Sequence, residues 1–120
     1  MRYRYGVAIV LLGLAAPAYA DALDFILTNS TGKEITLVEL SPLGAGQWQA
    51  NKIEEGEKPK NIKVSGRSTI HFDKTGTQCK WEIRVTFVDK TVTTFPAVNV
   101  CNDSFVTLSF KGATPVSSGS

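Results

Sequence analysis

The chain has 120 residues, with 13 Lys and Arg against 11 Asp and Glu for a net charge of +2, a hydrophobic fraction of 42%, two cysteines and one histidine. That length suits one domain with one modest core, and so near-neutral a balance gives no warrant for binding nucleic acid or an anionic membrane. At the N-terminus, Arg2 and Arg4 precede an apolar run from Gly6 to Ala16, and Ala18-Tyr19-Ala20 follows. A basic head, a short apolar run and a small-x-small site make a Sec-type bacterial signal peptide over residues 1–20, with cleavage expected after Ala20. The run is shorter than the ~20 residues a spanning helix needs. No cysteine lies near the cut to take a lipid, and no later segment is apolar enough to span. Cleavage removes Arg2 and Arg4, so the expected mature chain, Asp21 to Ser120, has a net charge of zero. The expected location is periplasmic or secreted.

Leu23, Phe25 and Leu27 alternate with Asp24 and Thr28, the period of a strand with one buried face. Asn29-Ser30-Thr31-Gly32-Lys33 is turn chemistry, and Ile35 to Leu40 reads as the returning strand of a hairpin, buried on both faces over part of its length. Ser41-Pro42 ends it. Leu43 to Gly66 has no clear periodicity. It holds Gly44, Gly46, Trp48 and an alternating charged run from Lys52 to Lys63. Such a run reads first as a solvated loop, while long irregular loops on rigid scaffolds also carry binding function. Leu43, Trp48 and Ile53 are its candidate interaction residues. Trp48 is expected to fold back as a core plug rather than stand as an exposed anchor, and Gln47 to Ile53 has the length for one helical turn.

Gly66 to Asp73 contains a third strand, with Ile70 and Phe72 inward and Thr69, His71 and Asp73 outward. His71 reads as a surface residue; a base would need a nucleophile or an orienting carboxylate beside it. The stretch Cys79 to Cys101 holds both cysteines. Trp81, Ile83, Val85 and Phe87 alternate with Glu82, Arg84 and Thr86; Asp89-Lys90 offers a turn; Val92 to Phe95 returns. A turn centred near residues 89 to 91 sets Cys79 opposite Cys101, predicting a disulfide worth about 3 kcal/mol. Two free buried thiols are the alternative, which the export signal disfavours. Two cysteines and one distant histidine do not make a metal set. Pro96 marks the return as an edge strand or as irregular beyond that point. Phe105 to Phe110 is expected to be the last strand, and Gly112 to Ser120 a disordered tail.

The whole predicts an all-β fold: a small antiparallel β-sandwich of six or seven strands with one disulfide, its single domain spanning residues 21–111. The chain also resembles a family of small exported bacterial β-sandwich proteins of unknown function. The resembling residues are Phe25-Ile26-Leu27-Thr28-Asn29 with Thr31-Gly32, Ile35, Ser41-Pro42, Trp48 and the Gly66 to Phe72 strand. The most specific part is Cys79-Lys80-Trp81-Glu82-Ile83-Arg84-Val85 followed by Asn99-Val100-Cys101, a C-x-W-[DE]-[IL]-R-V … N-x-C pattern. Family members are often labelled argininosuccinate lyase, but such lyases resemble long helical oligomers and none of their motifs is present. Glu54 to Lys63 is longer than the family pattern. The resemblance implies fold and export, and no catalytic residues.

The expected function is therefore a non-catalytic periplasmic or secreted interaction module, such as an inhibitor or immunity-type partner of another envelope protein. The alternative is small-ligand or calcium binding through Glu54, Glu55, Glu57 and Asp73 near His71, against which stands the lack of a D-x-D-x-D-G spacing. A hydrolase built on His71 lacks both G-x-S-x-G and an acid pair at defined spacing. No cofactor motif is present.

Overall fold

The computed structural model describes residues 20–53 and 56–120. The expected signal peptide lies outside the described residues except for Ala20, which opens the first strand. Eight strands follow: β1 (Ala20–Ser30), β2 (Ile35–Pro42), β3 (Gln49–Ala50), β4 (Arg67–Thr75), β5 (Lys80–Phe87), β6 (Val92–Asn99), β7 (Phe105–Lys111) and β8 (Thr114–Gly119). No helix occurs among the described residues.

Two four-stranded sheets, ordered β4-β1-β7-β8 and β3-β2-β5-β6, form an all-β sandwich. Neighbours are antiparallel except β1 and β7, which run parallel. The alternation read from the sequence sets the interior. Phe25, Leu27, Ile70, Phe72, Val106 and Leu108 of one sheet meet Val38, Leu40, Trp81, Ile83, Val85, Phe87 and Phe95 of the other, all buried. Phe72 and Trp81 pack across the sheets at 5.2 Å between ring centroids, and Phe95 meets the half-buried Phe110 at 5.5 Å. The Trp81 indole is satisfied within the core by donating to Gln78 O at 2.8 Å. Fully burying each such side chain is worth ~1.5–3 kcal/mol. Lys74 continues the inward face of β4 at its end, and its ammonium reaches Gly76 O at 2.8 Å, so the stem is buried while the charge is hydrogen-bonded.

β5 and β6 form the expected hairpin, and the Cys79–Cys101 disulfide closes its open end with the Cα atoms 5.4 Å apart. Lys90, at φ 71°, supplies the left-handed residue of the turn. β6 is an edge strand, which accommodates Pro96.

Four expectations are corrected. First, β1 and β2 are not a hairpin; they belong to different sheets. The cause is Asn29, fully buried, whose Nδ2 donates to Lys33 O (2.7 Å), Ile62 O (3.0 Å) and Lys63 O (3.2 Å). Its Oδ1 accepts from the Thr31 N–H and hydroxyl. The turn thus arches over the sandwich edge and ties itself to the 62–66 segment. Second, the apolar side chains buried by β2 lie on one face, and on the other only Ser41 is fully buried. A bulge between Ile35 and Leu37 brings Ile35 to the same side as Val38 and Leu40 and leaves Leu37 41% exposed. Third, residues 47–53 are extended, because Gln49 and Ala50 pair with Leu40 and Glu39 as β3. Fourth, residues 114–119 are a strand, since β7 offers a free edge: Val106 to Lys111 pair with β8 throughout, and Phe105 and Ser120 exchange backbone hydrogen bonds.

Both sandwich edges are stitched by side chains. At one, the Ser117 hydroxyl of β8 donates to Pro96 O of β6 at 2.6 Å. At the other, segment 49–52 is clamped to β4. Gln49 Nε2 donates to Asp73 O, Asp73 N–H donates to Gln49 Oε1, His71 N–H donates to Asn51 Oδ1, and Lys52 N–H donates to His71 O, all at 2.8–3.1 Å. Such cover shortens the unpaired edges through which sheets aggregate.

Candidate functional site

The shortness of β3 leaves the concave feature we assign to binding. β3 covers only Glu39 and Leu40 of β2, and further back Ile62 pairs with Ile35 through two backbone hydrogen bonds of 2.9 Å. Between these two seams, Ile53 and Pro59 are the described loop residues that lie over the edge of β2 together with Lys60. The gap is a cavity of about 180 Å³ walled by Leu37, Ile53, Pro59 and Ile62. It adjoins a second cavity of about 560 Å³ between the loop and β4, and Asn51, Ile53, Lys60 and Ser68 line both. The larger one is rimmed by Lys52, Lys58, Lys60, Arg67 and His71, with Glu57 as the acid among its described residues. Together they form a cleft whose described side chains are mainly apolar at the inner end and mainly basic at the outer end.

Backbone chemistry explains why the cleft persists. The clamp to β4 holds its floor at residues 49–52, and the Asn29 amide together with the Ile35–Ile62 bridge holds its far wall. Lys52 is engaged by Asp73 at 2.9 Å. Lys58, Lys60 and Arg67 have no ion-pair partner among the described residues.

The three candidate loop residues are not gathered into one patch. Leu43 is exposed in the turn after β2, where its N–H donates to Lys80 O. Trp48 is half-buried on the outer face of the second sheet, under the Arg84 guanidinium at 4.3 Å from the ring centroid. Arg84 in turn donates from Nε to Glu39 Oε1 at 3.0 Å. The expected core plug is thus a cation–π platform; the interior it was to fill is taken by Trp81 and Phe72. Ile53 alone enters the cleft.

His71 Nδ1 stands 3.6 Å from Asp24 Oδ2, across the β1–β4 register that pairs the two residues. Asp73, the carboxylate expected beside His71, is drawn to Lys52 instead. Of the carboxylates named for calcium, Asp73 is paired with Lys52 and Glu57 sits among lysines, while Glu54 and Glu55 lie outside the described residues. Among the described residues no three His, Cys, Asp or Glu stand close enough to share a metal ion. Sequence reading missed Leu37, Ile62 and Arg67 as cleft residues. The one available signal was an apolar Leu37 on the face of β2 opposite Val38 and Leu40.

The molecule at this point is defined as a disulfide-closed all-β sandwich with a cleft at one edge. No family model matches the chain, and none of the curated proteins does. Among solved structures, an NMR structure of a protein from Eubacterium rectale is similar, with a TM-score of 0.54 at 13% identity over 82% of this chain and 87% of that one. At that identity the likeness shows the sandwich fold alone.

Proposed function

We propose that the protein is a non-catalytic periplasmic or secreted binding module that engages another envelope protein through the edge cleft and the segment around it. The observation that supports this most is the clamping of residues 49–52 onto β4, which fixes one wall of a concave surface at the sandwich edge. Pre-formed surfaces bind with less ordering cost than mobile ones. The disulfide fits an oxidising compartment, and the basic-apolar-small pattern of residues 1–20 fits export to it. The resemblance to small exported β-sandwich proteins points the same way.

The test uses the exported chain, Asp21–Ser120, as bait in envelope extract, beside the Ile53→Glu variant. Retention of one defined protein by the wild type, lost with Ile53→Glu and kept with the distant Lys111→Gln, is expected. Equal retention by all three, or none above a denatured control, contradicts the reading. A second reading, small-ligand binding, is favoured by cleft volume alone: about 560 Å³ lies within the ~300–1,000 Å³ typical of ligand pockets.

A further inference from the structure

We infer that β6 pairs with β6 of a second copy of this chain, antiparallel about a two-fold axis at Thr93. The protein thus self-associates through one edge of the sandwich. The sheet orders put β6 and β8 at that edge and β3 and β4, with the cleft, at the other. The surface is therefore separate from the cleft and does not depend on the proposed function. Open backbone, a register that fits itself and missing charge lead to it.

β6 ends its sheet and pairs with β5 on one side only. In antiparallel strands, alternate residues turn both N–H and C=O toward the same neighbour. Thr91 C=O accepts from Phe87 N–H, so residues 91, 93 and 95 face β5, and Val92, Thr94 and Pro96 face outward. Pro96 agrees, since its C=O takes the Ser117 hydroxyl of β8 at 2.6 Å. That stitch covers β6 at Pro96 and no further. No described residue bonds the backbone of Val92 or Thr94 on this side. Two N–H and two C=O groups are thus left to water on an extended strand, which is the template to which another strand adds. Val92 beside them is 57% exposed.

The register makes a second copy the fitting partner. A two-fold axis at Thr93 sets Val92 opposite Thr94 of the second copy, and Thr94 opposite its Val92, which uses all four open groups. Thr93 then faces its own counterpart as a non-hydrogen-bonded pair, with Cα atoms about 4.5 Å apart. The same axis sets Lys90 opposite Pro96 of the second copy. Pro96 has no N–H, and the Lys90 N–H already donates to Phe87 O at 2.8 Å. Pairing therefore stops at both ends without stranding a donor, and a slip of register loses that match. Charge points the same way. Edge strands are commonly guarded by charged side chains, Lys above all. Neither β6 (VTTFPAVN) nor β8 (TPVSSG) carries one. From Thr91 to Ser120 only Asp103 and Lys111 are charged, against seven residues between Lys52 and Lys63. Two copies can meet along β6 with no like charges opposed, and their cleft edges stay at the outer ends of the pair.

Analytical ultracentrifugation of the exported chain, Asp21–Ser120, tests this. A monomer at about 10 µM that becomes mostly dimer at about 1 mM is expected, with Kd on the order of 100 µM for so short a pairing. In a mixture of isotope-labelled and unlabelled chains, filtered NMR should show an intermolecular contact between the two Thr93 Hα protons, which a non-hydrogen-bonded pair brings together. Thr94→Pro removes an N–H of the new pairing and none that bonds β5. Val92→Lys with Thr94→Lys sets like charges opposite each other. Each change should weaken the dimer at least about tenfold. Ile53→Glu, in the cleft, should leave it unchanged. The lysine variant alters only exposed side chains, so an amide spectrum unchanged outside β6 shows that the fold is kept. A monomer up to about 1 mM overturns the inference, as does a dimer that is indifferent to the lysine variant or lacks the Thr93 contact. If the chain stays monomeric yet retains an envelope protein through the cleft, this inference falls and the proposed function stands. If it dimerises as described while no envelope protein uses the cleft, the reverse holds.

Discussion

Replacing Asn29 separates the arch from an ordinary turn. Its amide donates to three carbonyls, and each of those carbonyls keeps a second donor: Lys33 O from the Thr31 hydroxyl, Ile62 O from Ile35 N–H, and Lys63 O from Gly66 N–H. Asn29→Ala therefore removes good hydrogen bonds without fully orphaning their acceptors. The expected loss is about 1–3 kcal/mol, or roughly 5–20 °C in Tm at about 4–8 °C per kcal/mol for a domain of this size. Asn29→Asp keeps the shape but turns a carboxylate toward three carbonyls in a fully buried site. At neutral pH it should cost more than Ala, about 3–5 kcal/mol. The new carboxyl would have its folded-state pKa raised above the ordinary ~3.9, so the folded state binds the proton more tightly than the unfolded chain. Relative to wild type, its stability is then best at low pH and is lost as pH rises through the raised pKa. Urea unfolding followed by circular dichroism at pH 4 and pH 7 measures both effects. Equal, small losses for Ala and Asp, or an Asp variant indifferent to pH, would refute the claim that this amide holds the arch.

Other outcomes follow from the same structure. The Cys79–Cys101 bridge closes a loop of sequence separation 22, so reduction, or Cys79→Ser with Cys101→Ser, should cost about 3 kcal/mol and lower Tm by more than about 10 °C with the strands intact. Two titratable thiols in the native exported protein would refute the bridge. Ile83→Ala should cost about 2–5 kcal/mol, whereas Arg84→Ala, losing a partly exposed pairing with Glu39 and the face of Trp48, should cost less than about 2 kcal/mol by thermal melting. Equal losses would mean the faces of β5 are reversed. The Thr91 hydroxyl and N–H, then Lys33, hold the Asp89 carboxyl down at about 2, from an ordinary 3.8. Its contribution is thus present above 3.8 and lost as pH falls through about 2. A carboxyl NMR titration should show that midpoint, and Thr91→Val should move it upward; an unmoved midpoint contradicts the assignment.

The β5–β6 hairpin was legible because alternation, turn and paired cysteines all agree over residues 79–101. The β1–β2 arch was not. Asn29 to Lys33 has the same turn chemistry whether the next strand lands beside β1 or across the sandwich, and the deciding partners, Ile62 and Lys63, are more than thirty residues away. Bulging in β2 likewise breaks the period that face assignment relies on. Residues 114–119 have little strand propensity of their own and are ordered by the free edge of β7. The cleft was hidden for a related reason: its described walls come from residues 35–38, 51–53, 56–62 and 67–71, which only the sandwich brings together. Ile53 was recognisable as a candidate, but Leu43 and Trp48 share its loop without sharing its site.

The central claim is that recognition occurs at the β2–β4 edge. Its most direct test is to map, by amide NMR, the footprint on this chain of the envelope protein that it retains. The account predicts perturbed amides clustered at residues 49–53, 57–62 and 67–71, with the 88–92 hairpin tip and β8 unmoved. A footprint centred on the hairpin tip or on the β6–β8 edge would contradict it.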